Sequence, residues 1–365
     1  MKGQTFTTMD GLRGVAALMV AAYHTPATYG LMPGGYLAVD LFFALSGFVL
    51  AHSSLEKLSS LRAGVPFLVK RIVRLYPLYL VGLALGFLAY LYAAIIEGNL
   101  WPTALIVNLM LNGVFLPAPQ HYALNSWSAF ALNGPAWSLS FEMFVNIILA
   151  LTAFLYTPRR LAMVLGLSSA ALVAVAFFHG DLDVGSSIST FPLGAARVMF
   201  SFFVGIAIYR AWAAGKLERV IPWWLSISVL AVLIFLPVPA GYRVVSDPLI
   251  VMLAFPVLLA SSTGITPLPL LQFLGRISYG VYIVHVPVLA LLLVASADFL
   301  GQDFASFGLM GTWTVLALVV ALAALLNPVD AAARRWLTSA IARSPWRAVF
   351  SENHVELSAK SQRSP

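Results

Sequence analysis

Four ionisable residues stand where two apolar segments would be expected to carry none: Asp10, Arg13 and His24 in the first, Asp40 in the second. Arg13 and His24 are eleven positions apart, which on an α-helix is about 1100° of rotation, three turns plus roughly 20°, and about 16 Å of rise. One helix face therefore carries both, at different depths. A guanidinium can grip phosphate bidentately, and an imidazole can take the proton of a hydroxyl. Asp40 follows a Pro-Gly-Gly turn and lies a few residues into the returning segment, at roughly the depth of His24. With the N-terminus in the cytoplasm, Arg13 is expected at the inner mouth and His24 in the outer half, both lining a polar tunnel. A network that merely fixes helix packing is the plainer reading, but ionisable groups inside a membrane are costly and usually functional.

Three further constellations carry charge into apolar surroundings. Arg71 and Arg74, next to Lys70, are three apart and face one way on a helix. They read either as loop cations anchoring a membrane entry or as a phosphate clamp. Glu142 lies about two turns into a helix beginning near Trp137; it could pair with a buried Arg such as Arg197, or orient His24 or a substrate. His285 sits in mid-helix two residues before Pro287, where a histidine can bond across helices. The remaining histidines show no paired spacing and no HExxH, so no metal site is expected. GxSxG and GxxxxGK[ST] are also absent, which argues against a nucleophilic-serine hydrolase or a nucleoside triphosphatase.

The elements that must position these groups are membrane spans. Of 365 residues, 61% are hydrophobic and 10% charged, far from the roughly 45–50% and 25% of soluble domains. The net charge of +7 does not indicate nucleic acid, because Lys and Arg gather in cytoplasmic loops. Without cysteine, disulfides and thiol nucleophiles are excluded. Asp10 argues against a cleaved signal peptide. Ten apolar runs could span: 12–29, 36–55, 76–96, 137–156, 161–178, 191–212, 221–236, 249–263, 277–297 and 308–326. An eleventh, 103–116, is broken by Asn108 and Asn112. Counting it out places the basic loops on one side and leaves Arg243 as the clear exception, so it is expected to be re-entrant or at the outer surface. The fold expected is all-α, a polytopic bundle of about ten transmembrane helices with both termini cytoplasmic. One domain covers 1–342; a polar, partly disordered tail covers 343–365, preceded by an amphipathic stretch at 329–341. The long outer loop 117–135, rich in Pro, Asn, Trp and Tyr, is expected to be functional.

These segments resemble the acyltransferase 3 family of integral-membrane acyltransferases. Arg13 followed by His24 resembles its Arg-x10-His signature, and 35–48 its second-helix block. Arg71-x-x-Arg74 resembles its Arg-x-x-Arg motif, WSLSFE (137–142) its WSLxxE block, and LGRISYGVYIVHVPV (274–288) its late LGxxSYxxYLxHxP block. Departures are Ala38 before Val39-Asp40, Met143 after Glu142, and Asn327-Pro328 in place of an acidic-x-Pro element. The resemblance implies transfer of an acyl group, most often acetyl, from acyl-CoA to a hydroxyl of a carbohydrate or glycolipid at the outer face of a bacterial inner membrane. It implies His24 as general base with Asp40 or Glu142 steadying it, and Arg13, Arg71, Arg74 and Ser46 on the acetyl-CoA side. Trp137 and His285 are implied on the acceptor side. No hydrolase-like domain follows, so any second transfer step is expected to need a separate protein. A transporter of a small anionic metabolite is the rival; the inverted repeats common in transporters are not seen.

Overall fold

The computed structural model describes residues 6–99, 101–125, 128–217, 220–265 and 268–344. Its α-helices are α1 (Thr7–Tyr23), α2 (Ala38–Ser54), α3 (Leu61–Ile96), α4 (Pro102–Gly113), α5 (Ala136–Thr152) and α6 (Pro158–His179). They continue with α7 (Gly194–Ala213), α8 (Trp223–Phe235), α9 (Arg243–Leu249), α10 (Phe255–Ser261), α11 (Pro269–Leu300) and α12 (Gly308–Arg343). A π-helical turn, Ile250–Ala254, joins α9 to α10. The described residues form no strand beyond an isolated bridge between Ser128 and Ser187.

Eight helical stretches among the described residues are long and apolar enough to cross a membrane. Two of the ten expected runs are shorter. α1 has 17 residues because the hydroxyls of Thr25 and Thr28 both donate to the Ala22 carbonyl and end the helix there. α8 has 13, set between Pro222 and Pro237. α4, at 12 residues, extends about 18 Å, well short of a hydrocarbon core of roughly 30 Å. Its buried Asn108 donates to Ala104 and Tyr122 carbonyls at 2.9 and 2.7 Å. The expected separate helix at 329–341 is instead the end of α12, which runs through Pro328 for 36 residues. The tail beyond Ser344 lies outside the described residues.

Two parallel helix pairs hold the centre, and both are close because glycines let backbones meet. In the α1–α11 pair, a Cβ on Gly14 would lie 2.6 Å from the Leu274 carbonyl carbon, and one on Gly275 would lie 2.7 Å from the Asp10 carbonyl oxygen. In the α2–α7 pair, a Cβ on Gly205 would lie 2.1 Å from the Ala44 carbonyl oxygen. The first pairing brings the charged face of α1 against the 274–288 segment. The second sets Asp40 beside Arg197.

Candidate active site

His24 caps the C-terminal end of α1, and its ring folds back so that Nδ1 lies 2.8 Å from the Val20 carbonyl. The same Nδ1 is 3.3 Å from Nε2 of His285. His285 is buried on α11, with its own Nδ1 2.7 Å from the Tyr282 carbonyl. A carbonyl can only accept, so His285 carries its proton on Nδ1 and leaves Nε2 bare. By the same logic His24 donates from Nδ1, and its Nε2 holds a free lone pair. That ring is exposed to a cavity of about 620 Å³ lined by Tyr23, Tyr29, Tyr36, Trp137 and Asp183. Pro287 explains how α11 tolerates this site. Its missing N–H leaves the Ile283 carbonyl without a helix partner, and Asn133 donates to that oxygen at 3.0 Å.

The arginines gather elsewhere. Arg13, Arg71 and Arg74 line a second, smaller cavity of about 150 Å³ together with Ser46, Glu142 and Arg276. Arg13 donates from Nε to Ser278 at 2.9 Å and from a terminal nitrogen to the Gly275 carbonyl at 3.0 Å, and it pairs with Asp10 at 2.9 Å. Arg71 pairs with Glu142, which also accepts from Ser46 at 2.9 Å. The Nε of Arg71 is buried without a partner, and Arg74 and Arg276 form no hydrogen bond or ion pair among the described residues. Such a concentration of uncommitted donors fits a phosphate-bearing ligand.

The two carboxylates expected to steady His24 do not touch it. Asp40 is buried against Arg197, whose terminal nitrogen lies 2.6 Å from it, and it also accepts from Ser201 at 3.2 Å. The rest of Arg197 is occupied by the Val184 and Tyr36 carbonyls, both at 2.8 Å, and by the Trp137 ring beneath its guanidinium at 5.3 Å. Asp40 therefore ties α2 to α7, and Arg197, considered above for Glu142, belongs to Asp40 instead. Glu142 belongs to Arg71. A carbonyl and a second imidazole do the orienting that a carboxylate was expected to do.

Between Arg13 and His24, where a tunnel was expected, lie two adjoining cavities that share Val39 and Tyr282 as lining. Tyr282 and Ser138 share a hydrogen bond at 2.8 Å and both hydroxyls reach the Pro135 carbonyl, at 3.4 and 3.0 Å, which holds the tyrosine where the two cavities meet. Phe42 lies edge-on against its ring, centroids 5.4 Å apart. Arg276, Tyr282 and the bond between His24 and His285 escaped the sequence reading. The only signal was that all three α11 residues fall inside the 274–288 block.

The family model described as an acyltransferase domain, acyltransferase 3, matches residues 6–327. A Rhizobium radiobacter protein, "Protein 2 in picA locus", is 40% identical over 186 residues, 47% of this chain and 95% of that one. The peptidoglycan O-acetyltransferase OatA of Listeria monocytogenes is 24% identical over 326 residues, 78% of this chain; the alignment spans 49% of that longer protein. The putative membrane-bound transacylase BcsY of Komagataeibacter xylinus is 28% identical over 314 residues, 76% of this chain and 72% of that protein. No solved structure matches. With a family match across nearly its whole length and eight apolar helices, the chain belongs to the acyltransferase 3 family and is an integral membrane protein.

Proposed function

We propose that this protein is an O-acyltransferase that moves an acyl group, acetyl first, from cytoplasmic acyl-CoA to a hydroxyl of a carbohydrate or glycolipid at the outer face of a bacterial inner membrane. The observation that carries the reading is the division of labour along α1. Arg13 lies at an arginine-lined cavity and His24, with a bare Nε2, at an aromatic one. The CoA phosphates would rest on Arg71, Arg74 and Arg276. Its thin pantetheine arm would pass Tyr282 and present the thioester to His24.

His24 Nε2 then takes the acceptor's hydroxyl proton while the oxygen attacks the thioester carbonyl. As the tetrahedral adduct collapses, the carbon–sulfur bond breaks and the imidazolium returns the proton to the thiolate, releasing free CoA and an ester. A positioned base of this kind contributes about 10² to 10⁴-fold. His285 accepts the Nδ1 proton of His24 in a hydrogen bond and keeps Nε2 toward the acceptor. Parallel packing of α1 and α11 supports counting α4 out of the spans, since one more crossing between them would make the pair antiparallel. The names of the relatives, two of them an O-acetyltransferase and a transacylase, favour a transferase over a transporter.

The test is to supply radiolabelled acetyl-CoA to membranes containing the protein and follow both free CoA and label in the carbohydrate fraction. Protein-dependent appearance of both is the expected outcome. Absence of transfer in membranes that retain their native glycolipids would overturn the reading.

A further inference from the structure

The wall of the aromatic cavity facing His24 is a short segment between α6 and α7. Gly180, at φ +100°, ends α6. The Leu182 N–H donates to buried Asp247 at 3.1 Å, and the Val184 carbonyl accepts from Arg197 at 2.8 Å. Leu182 and Val184 are both fully buried. Asp183, between them, is turned the opposite way and lines the cavity. The segment is held further along as well. Gly185, at φ +107°, packs where a Cβ would lie 2.5 Å from the Trp137 ring, and the Ser186 carbonyl accepts from Ala129 at 3.0 Å. Asp183 is thus presented by a fixed wall.

Its carboxylate makes no hydrogen bond or ion pair among the described residues; only its backbone N–H is used, donating to Asp181 at 2.9 Å. No Arg or Lys among the described residues lines the cavity. Arg197 lies behind the wall and is taken by Asp40. The Asp183 side chain is exposed to the cavity, and partial desolvation by the surrounding walls still pushes its carboxyl up from its usual range, against the opposing pull of Arg197. A ligand that donates hydrogen bonds there would relieve that cost.

We infer that Asp183 is an acceptor-recognition residue, and that the unit acylated is an uncharged or amino-bearing sugar rather than one carrying a carboxylate or phosphate. This rests on the acyl-transfer reading for the word acceptor, but the binding site stands on its own geometry. Hydroxyl and ammonium groups donate to a carboxylate, and the aromatic residues Tyr23, Tyr29, Tyr36 and Trp137 line the cavity beside it. An anionic sugar would meet Asp183 in a cavity that no Arg or Lys among the described residues lines, and like charges juxtaposed at an interface are strongly disfavoured.

The experiment is binding of three tetrasaccharides to the nanodisc-embedded full chain without donor: deacetylated chitotetraose, cellotetraose and tetragalacturonate. The amino tetramer should bind tightest, the neutral one next, and the acidic one at least tenfold weaker than the neutral. The isosteric Asp183→Asn should weaken the amino tetramer at least tenfold while thermal unfolding stays within a few degrees, and Asp183→Lys should reverse the order. Equal binding of the acidic and neutral tetramers, an Asp183→Asn effect under twofold, or no binding of any of the three would overturn the inference. If binding follows the expected order but no acyl group passes from acetyl-CoA to the bound tetramer, the acyl-transfer reading fails and this one stands. If transfer occurs but is indifferent to Asp183, the reverse holds.

Discussion

The two cavities are neighbours built from the same helices, yet their chemistry is opposite. One gathers Arg13, Arg71, Arg74 and Arg276, with a single carboxylate, Glu142, among them. The other presents aromatic rings, one imidazole and an unpaired carboxylate. A single substrate would not call for both. The contrast suits a reaction that draws an anionic carrier from one side and an uncharged alcohol from the other, meeting at a wall made by Val39 and Tyr282. Two of the carboxylate–arginine pairs differ in the same sense. Asp40–Arg197 is sealed, and every part of that guanidinium is engaged; Arg71 keeps an idle Nε beside the arginine cavity.

Breaking the sealed pair should have the largest effect, and it should be on folding. Arg197→Met leaves Asp40 buried without its countercharge, with the Ser201 hydroxyl still donating to it, which typically costs about 3–5 kcal/mol, read as a collapse in yield and in thermal unfolding. A normally stable Arg197→Met protein would mean the pair is not what joins α2 to α7. Opening the other side should spare the fold. Arg71→Ala with Arg74→Ala removes charge-assisted bonds of about 1.5–3 kcal/mol each, so acyl-CoA binding should fall by two or more orders of magnitude while tetrasaccharide binding is unchanged. Loss of both together would erase the contrast between the cavities.

Smaller effects should follow at the wall. His285→Ala is expected to lower the turnover rate about tenfold, a loss of about 1.4 kcal/mol within the range of a single hydrogen bond, with the donor KM untouched. Rescue by His285→Gln, which can still accept from His24, would mark a positioning role rather than a packing one. Least of all, Tyr282→Phe removes the hydroxyl that bonds Ser138 and reaches the Pro135 carbonyl, about 0.5–1.5 kcal/mol for a bond of this kind. In this cysteine-free chain, a Ser46→Cys reporter in the arginine cavity should then become reachable by an impermeant thiol reagent applied to the His24 side. Unchanged labelling would show that Tyr282 does not hold the partition.

Much of this was legible in the chain. The apolar runs marked most helices, and the Arg13–His24 spacing placed both residues on one side of α1. Helix lengths were harder, because what stops α1 is a pair of threonine hydroxyls on one carbonyl, and α12 runs on past Pro328, a residue that reads as a break. Partners were hardest. Asp40 finds Arg197 157 positions away, and only the register of α2 on α7 decides that it, rather than Glu142, takes that arginine. Likewise the orientation of His24 depends on a carbonyl one turn back and an imidazole 261 positions on; sequence carries no sign of either bond. That Val39 and Tyr282 are shared by two adjoining cavities is likewise unreadable from the sequence.

The central claim is that the bare nitrogen of His24 takes the acceptor's proton, and the most direct measurement compares acetyl transfer and acetyl-CoA binding in His24→Ala and the unaltered protein, both reconstituted in nanodiscs. The account predicts that transfer falls by about 10² to 10⁴-fold while acetyl-CoA still binds within twofold. Transfer within tenfold of the unaltered rate, with the protein folded and the donor bound, would contradict it.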